Sequence, residues 1–223
     1  MQSPVPFLAV LLLAPAADGP ALTLKHEKAD PPAALAAPVR AVLPAGCERV
    51  GDADGAAVAE VWFRDEIPTR ATEEQAKNGL TYRELPDGVL LGAVRFPKPF
   101  VDYRKQEIPA GVYTLRFAVQ PETGDHAGTA PHAEFALLVP AAADPTADPV
   151  EGKALHKLSA KVTGGDHPGV MLLFPNYDKP AAPKLRAEKD DVIALALHRT
   201  VVAGGTKTGL GFALAVSGWS KTR

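Results

Sequence analysis

Two near-identical pentapeptides carry the most chemically suggestive side chains of the chain: GDHAG at 124–128 and GDHPG at 165–169. Each sets an imidazole beside a carboxylate among turn-forming glycines, and His132 follows closely on the first. Together His126, His132, His167, Asp125 and Asp166 form a candidate ligand set whose mixture of imidazole and carboxylate suits zinc or copper. Their spacing is unlike the H-x-x-x-H or C-x-x-C patterns that place two ligands on one element. The plainer reading is of loop histidines that hydrogen-bond or face water. His198 is expected to satisfy its hydrogen bonds within or beside its strand, and His26 and His156 to be exposed.

The two motifs are alike as letters only. Asp125 can close an Asx-turn onto the N–H of Ala127, whereas the corresponding position after Asp166 is Pro168, which has no N–H. Pro168 also biases His167 toward extended backbone, so that HPG leads directly into an apolar run at 170–174. The flanking segments do not keep step, and internal duplication finds no support.

Other chemistry is mostly excluded. Only four serines occur (Ser3, Ser159, Ser217, Ser220), and none lies in a G-x-S-x-G elbow. AGGTKTG at 203–209 has Thr206 where a phosphate loop needs Gly before the Lys, and it reads as a hairpin turn. GLGF lacks the third Gly of a dinucleotide fingerprint, and DADG at 52–55 lacks the further ligands of a calcium loop. Asp65, Glu66, Asp102, Glu107 and Glu134 at expected strand ends leave room for an acid-base hydrolase. Two Trp are few for a sugar-stacking cleft, so catalysis stands as a third reading behind binding and metal handling.

The elements that must position these residues are mainly strands. In GVYTLRFAVQ at 111–120, Tyr113, Leu115, Phe117 and Val119 alternate with Thr114 and Arg116, the pattern of a half-buried strand. The same period puts Ala57, Ala59, Val61 and Phe63 on one face, Leu90, Val94 and Phe96 on another, and Phe135, Leu137 and Val139 on a third. Leu210, Phe212, Leu214 and Val216 share a face backed by Gly211, Ala213 and Ala215, small residues that allow a close approach from behind. DDVIALALHRTVV at 190–202 is apolar on both faces over most of its length and reads as a central strand, with a short buried helix as the alternative that periodicity alone leaves open. Turns are marked by DADG, PDG at 86–88, PAG at 109–111 and AGG at 203–205. Helix is expected only at 72–78, with acidic residues in its first turn, and at 153–161. The Pro-rich stretches 140–152 and 176–184 read as surface loops. The expected fold is a mainly β, antiparallel, jelly-roll-like β-sandwich with one or two short helices.

At 223 residues with 24 Lys plus Arg against 26 Asp plus Glu, the chain has no charge excess to draw nucleic acid or an anionic membrane. Val5 to Leu13 followed by Ala14-Pro15-Ala16 has the form of a secretory signal peptide at 1–16, too short to span a bilayer. Residues 17–38 read as a leader or linker and 39–223 as a single domain, with no integral membrane segment after cleavage. Cys47 is the sole cysteine, so no internal disulfide forms and the core alone must hold the fold. LPAGC at 43–47 is not a lipoprotein site, because no apolar signal core directly precedes it. Cys47 is expected buried at a strand start.

AEVWFRDEIP (59–68), the stretch from Asp102 to Asp144 and HPGVMLLFP (167–175) together resemble an uncharacterised family of exported bacterial proteins. Its pattern is an AG-x-YTLR strand, a G-D-H-x-G loop and a His-Pro lead into a later strand. The resemblance implies a predominantly β fold in a periplasmic or extracellular setting and brings no activity with it. The functional expectation is an exported binding or structural module for an unknown protein or small-molecule ligand, its loops at 120–133 and 164–169 making the contact. The alternative is a periplasmic zinc or copper protein.

Overall fold

The structure, a computed structural model, describes residues 21–120, 131–165, 167–178 and 182–219. His126, Asp125, Asp166 and the leader at 1–16 lie outside the described residues. The fold is mainly β with few, short helices. In chain order the elements are β1 (Thr23–Glu27), α1 (Ala37–Arg40), β2 (Cys47–Gly51), β3 (Ala57–Phe63), β4 (Glu66–Pro68), α2 (Glu73–Asn78), β5 (Leu90–Phe96), β6 (Phe100–Val101) and β7 (Glu107–Ile108). They continue with β8 (Gly111–Val119), β9 (Glu134–Pro140), α3 (Gly152–Thr163), β10 (Gly169–Pro175), β11 (Lys184–Ala187), β12 (Ile193–Ala203) and β13 (Thr206–Ser217).

Eleven strands make one curled sheet in the order β1-β2-β3-β5-β8-β9-β10-β13-β12-β11, with β4 also on β12, while β6 and β7 form a separate hairpin. Every neighbour along that path is antiparallel, and β4, just past the bend at the end of β3, pairs with β12 in parallel, Glu66–Pro68 against Thr200–Val202. The parity explains it: seven strands of alternating direction lie from β3 to β12, so the first and last run the same way. At one end, here called the upper, β3, β8, β10 and β12 finish while β9 and β13 begin.

Three apolar layers follow from this curl. The interior holds Val61, Phe63, Val94, Phe117, Leu138, Leu197, Phe212 and Leu214, drawn from both halves of the sheet. α3 covers the outer face of β9 and β10 with Leu155 and Leu158 against Leu137 and Leu172. The third layer sets Leu35, Val39 and Leu43 over Trp62 and Leu90, and Trp62 Nε1 donates to Ala29 O at 3.0 Å. Residues 21–38, expected as a linker, therefore belong to the domain: β1 pairs with β2 from Thr23↔Gly51 to Glu27↔Cys47.

Several expectations hold in detail. Cys47 opens β2 and is 2 % exposed. Thr72 caps α2 in a reciprocal capping box with Gln75. Gly204 and Gly205, both at positive φ, form the two-residue turn between β12 and β13. Three features depart from the sequence pattern. Helix also occurs outside the two expected segments, in α1, where Pro38 sits in the first turn and its missing N–H costs nothing. A bulge between Leu90 and Gly92 turns Leu91 to the interior and Leu90 to the outer layer, so Leu90 does not share a face with Val94. Thr114 and Arg116, on the polar side of β8, are fully buried beneath the 140–152 segment.

Candidate functional site

The site arises where β10 changes partner. Gly169–Leu172 pair with Leu138–Phe135 of β9, and Leu173–Pro175 pair with Leu214–Phe212 of β13. After Pro175 the chain leaves the wall and crosses the outer face of β13. Gly211 makes that crossing possible, since a Cβ there would stand 2.0 Å from Asn176 O. The expectation of a close approach behind the small residues of β13 is met at this point.

Side chains then pin the corner. Asn176 Nδ2 donates to Leu197 O at 3.3 Å and Phe212 O at 3.1 Å, while its Oδ1 accepts from Arg186 Nη1 at 3.2 Å. Arg186 Nη2 donates to Pro175 O at 2.9 Å. His198 Nε2 meets Asp178 O at 2.6 Å. A carbonyl only accepts, so Nε2 carries a proton and donates.

Tyr82 enters from the opposite side, on a one-turn helix capped by Thr81 and Glu84. Its hydroxyl donates to Phe174 O at 2.8 Å and accepts from Ala213 N at 3.2 Å, bridging two residues that are partners in the β10–β13 ladder. Burial raises the Tyr82 pKa well above the ordinary phenol range, partly opposed by the Ala213 N–H, so the hydroxyl stays protonated and keeps donating.

Beside this bridge lies a groove of about 210 Å³ lined by Leu80, Tyr82, Arg83, Glu134, Tyr177 and Leu210, among others. Tyr177 stands on it 81 % exposed. Nearby at the upper end, Arg199 lies 6.0 Å from the centre of the Phe63 ring. Its Nε has no hydrogen-bond partner among the described residues, and burial lowers its pKa against the opposing charges of Glu48 and Asp65.

The structure places the two described ligand candidates, His132 and His167, apart. His132 packs edge-on against Phe174, ring centroids 5.2 Å apart, at the upper end of β10. His167 precedes Gly169 at the lower end, its carbonyl accepting from Thr163 Oγ1 at 2.7 Å. Phe174 is five residues beyond Gly169, about 17 Å of strand at roughly 3.3 Å per residue. His132 and His167 therefore do not share a coordination sphere, and among the described residues no group of three or more His, Cys, Asp or Glu is gathered that could hold a metal.

The expected carboxylates are also dispersed. Asp102 is buried at the lower end, accepting from Arg104 N, Gln106 N and Gln106 Nε2 at 2.9 Å and from Val170 N at 3.1 Å. Burial raises its pKa, with those four N–H groups opposing. Glu66 pairs with Lys207, and Glu134 lines the groove at the other end. Asp102 thus ties the β6–β7 hairpin to β10 and does not face Glu134.

The groove itself was not expected, because Leu80–Arg83, Glu134, Asn176–Tyr177 and Leu210–Gly211 are distant in sequence. The readable signal was the T-x-x-E capping pattern at 81–84, which fixes Tyr82 locally. Fold and groove together define a curled, largely antiparallel β domain with a notch, open among the described residues, where one strand leaves its wall. The chain matches no protein-family model, no curated protein and no solved structure.

Proposed function

We propose that the protein is an exported binding module whose contact surface is the upper groove around Tyr177. The observation that carries this is Tyr177 itself, 81 % exposed beside a groove whose walls are locked by the Tyr82 bridge and the Asn176–Arg186 network. A rigid scaffold presenting an amphipathic aromatic ring is how binding surfaces gain area at little entropic cost. The balanced charge favours neither nucleic acid nor an anionic membrane. Among the described residues no helix is long and apolar enough to cross a membrane. The signal-like segment at 1–16 and the resemblance to exported bacterial proteins support a periplasmic or extracellular location.

A photo-crosslinking amino acid placed at Tyr177, with the same probe at Val101 on the lower hairpin as control, tests the reading in the native cell. A discrete adduct from position 177 and none from 101 is the expected result. Equal adducts, or none from either, would remove the groove as contact surface. Amino-terminal sequencing of the mature chain should find a start after Ala16.

A further inference from the structure

β13 is paired with β12 from Thr206 to Ser217, but β10 covers its other flank only from Phe212 to Leu214. Backbone direction on the uncovered stretch follows from alternation. The Ala213 N–H points to the β10 side, since it reaches Tyr82 Oη, and residues two apart in a strand point the same way. Lys207 and Gly209 therefore aim their N–H and C=O groups away from β12. Both residues are exposed, and among the described residues no strand pairs with them on that flank.

On the far side, among the described residues, β9 does not reach the level of Lys207–Gly209. β9 begins at Glu134, while its ladder with β10 begins at Phe135. Beyond Pro175 the line that β10 vacates runs on along β13, one interstrand spacing of ~4.8 Å from it. The adjoining groove is lined by the apolar Leu80, Tyr82 and Leu210 together with Glu134 and Arg83. The charge on Lys207 is the kind of device that keeps an open edge from pairing with another copy of itself.

We propose that an extended peptide segment of a partner protein docks in this notch, adding a strand antiparallel to β13 along Lys207–Gly209 and seating one apolar side chain against Leu80, Tyr82 and Leu210. The inference rests on the groove being the contact surface and names what that surface takes. Main-chain hydrogen bonds to β13 supply affinity, and the apolar seat supplies selectivity at alternate positions. The direction is the one β10 would have followed beyond Pro175.

The test uses a phage-displayed random heptapeptide library against the immobilised full chain, followed by synthetic forms of an enriched peptide. N-methylating its amides in one alternate set is expected to weaken binding at least tenfold, while methylating the other set changes it less than threefold. Gly209→Pro, which removes an edge donor from a flank where proline is tolerated, is expected to weaken it similarly with an unchanged circular dichroism spectrum. The Gly209 amide should exchange fast in the free protein and slow on adding peptide. Failure to enrich any sequence, indifference to which set is methylated, or a Gly209 amide already protected in the free protein would overturn strand addition. Should adducts from position 177 persist beside such a failure, the groove stands as contact surface and only the peptide strand falls.

Discussion

Arg116 and Asp144 form a bidentate ion pair with no solvent-exposed surface on either side chain, Nε to Oδ2 and Nη2 to Oδ1 both at 2.7 Å. The remaining guanidinium hydrogens go to Gly88 O and Asp148 O at 2.8 Å and Thr146 O at 2.6 Å, so all five donors are used. Thr114 Oγ1 also donates to Asp144. The pair thus fastens the loop after β9 over the outer face of β8.

Removing one partner leaves the other charged, buried and unpaired, which typically costs about 3–5 kcal/mol. Arg116→Met and Asp144→Asn are each expected to lower unfolding free energy by about that much in urea. The double variant should cost well under the sum, because the orphan charge is gone. A single variant within 1 kcal/mol of the parent, about the value of an exposed pair, would show that the loop does not seal the site.

Tyr82→Phe isolates the hydroxyl bridge. The ring and its contacts with Phe117 and Phe212 remain, while Phe174 O and Ala213 N lose a partner at a buried seam. A destabilisation of about 1–3 kcal/mol is expected. Hydrogen exchange at Ala213 should accelerate out of proportion to the global change, and an exchange rate that merely follows global stability would count against a local bridge.

What was legible in the sequence and what was not divides along physical lines. Alternation located β8, β12 and β13, because one apolar face imposes period two and two apolar faces impose continuous apolarity. The cap at Thr72 and the Gly204–Gly205 turn are local chemistry and were readable as such. Arg116 reads as outward because polarity normally marks the wet face, and the carboxylate that permits its burial lies 28 residues away. The bulge at Leu90–Gly92 hid itself by shifting the period by one. His132 and His167 were grouped by type, but residue type does not say from which end of a sheet each loop departs.

Cys47 yields a prediction about reactivity. Burial first, then the negative charges of Glu60, Glu27 and Glu48, push its thiol from 9.0 up to about 11. At pH 8 that displacement alone lowers the thiolate fraction about 100-fold. Native protein should react with a thiol reagent such as DTNB at least 100-fold more slowly than protein in denaturant. Linkage has a definite sign, because the folded pKa is raised. The neutral thiol contributes stability that is complete below the unfolded value and is lost as pH rises through about 11. Cys47→Ser should flatten that alkaline decline, and rapid native labelling at pH 8 would contradict it.

Gly211→Ala probes the crossing that opens the groove. The new methyl would lie 2.0 Å from Asn176 O and 2.8 Å from His198 Nε2, so the crossing chain must lift or the strand must shift. Overpacking of this kind costs about 1–3 kcal/mol. If the chain lifts, the bonds from Asn176 to Leu197 O and Phe212 O and from His198 to Asp178 O loosen together, because one segment carries all of them. Amides at 176–178 should then exchange faster and any adduct formed from position 177 should diminish, while β8 and β9 keep their protection. Gly55→Ala is the matching control: positive φ in the β2–β3 turn with nothing within 4 Å of the new methyl, so it costs stability and leaves the groove intact. Equal effects of the two substitutions on residues 176–178 would mean that the crossing is not held by close approach to Gly211.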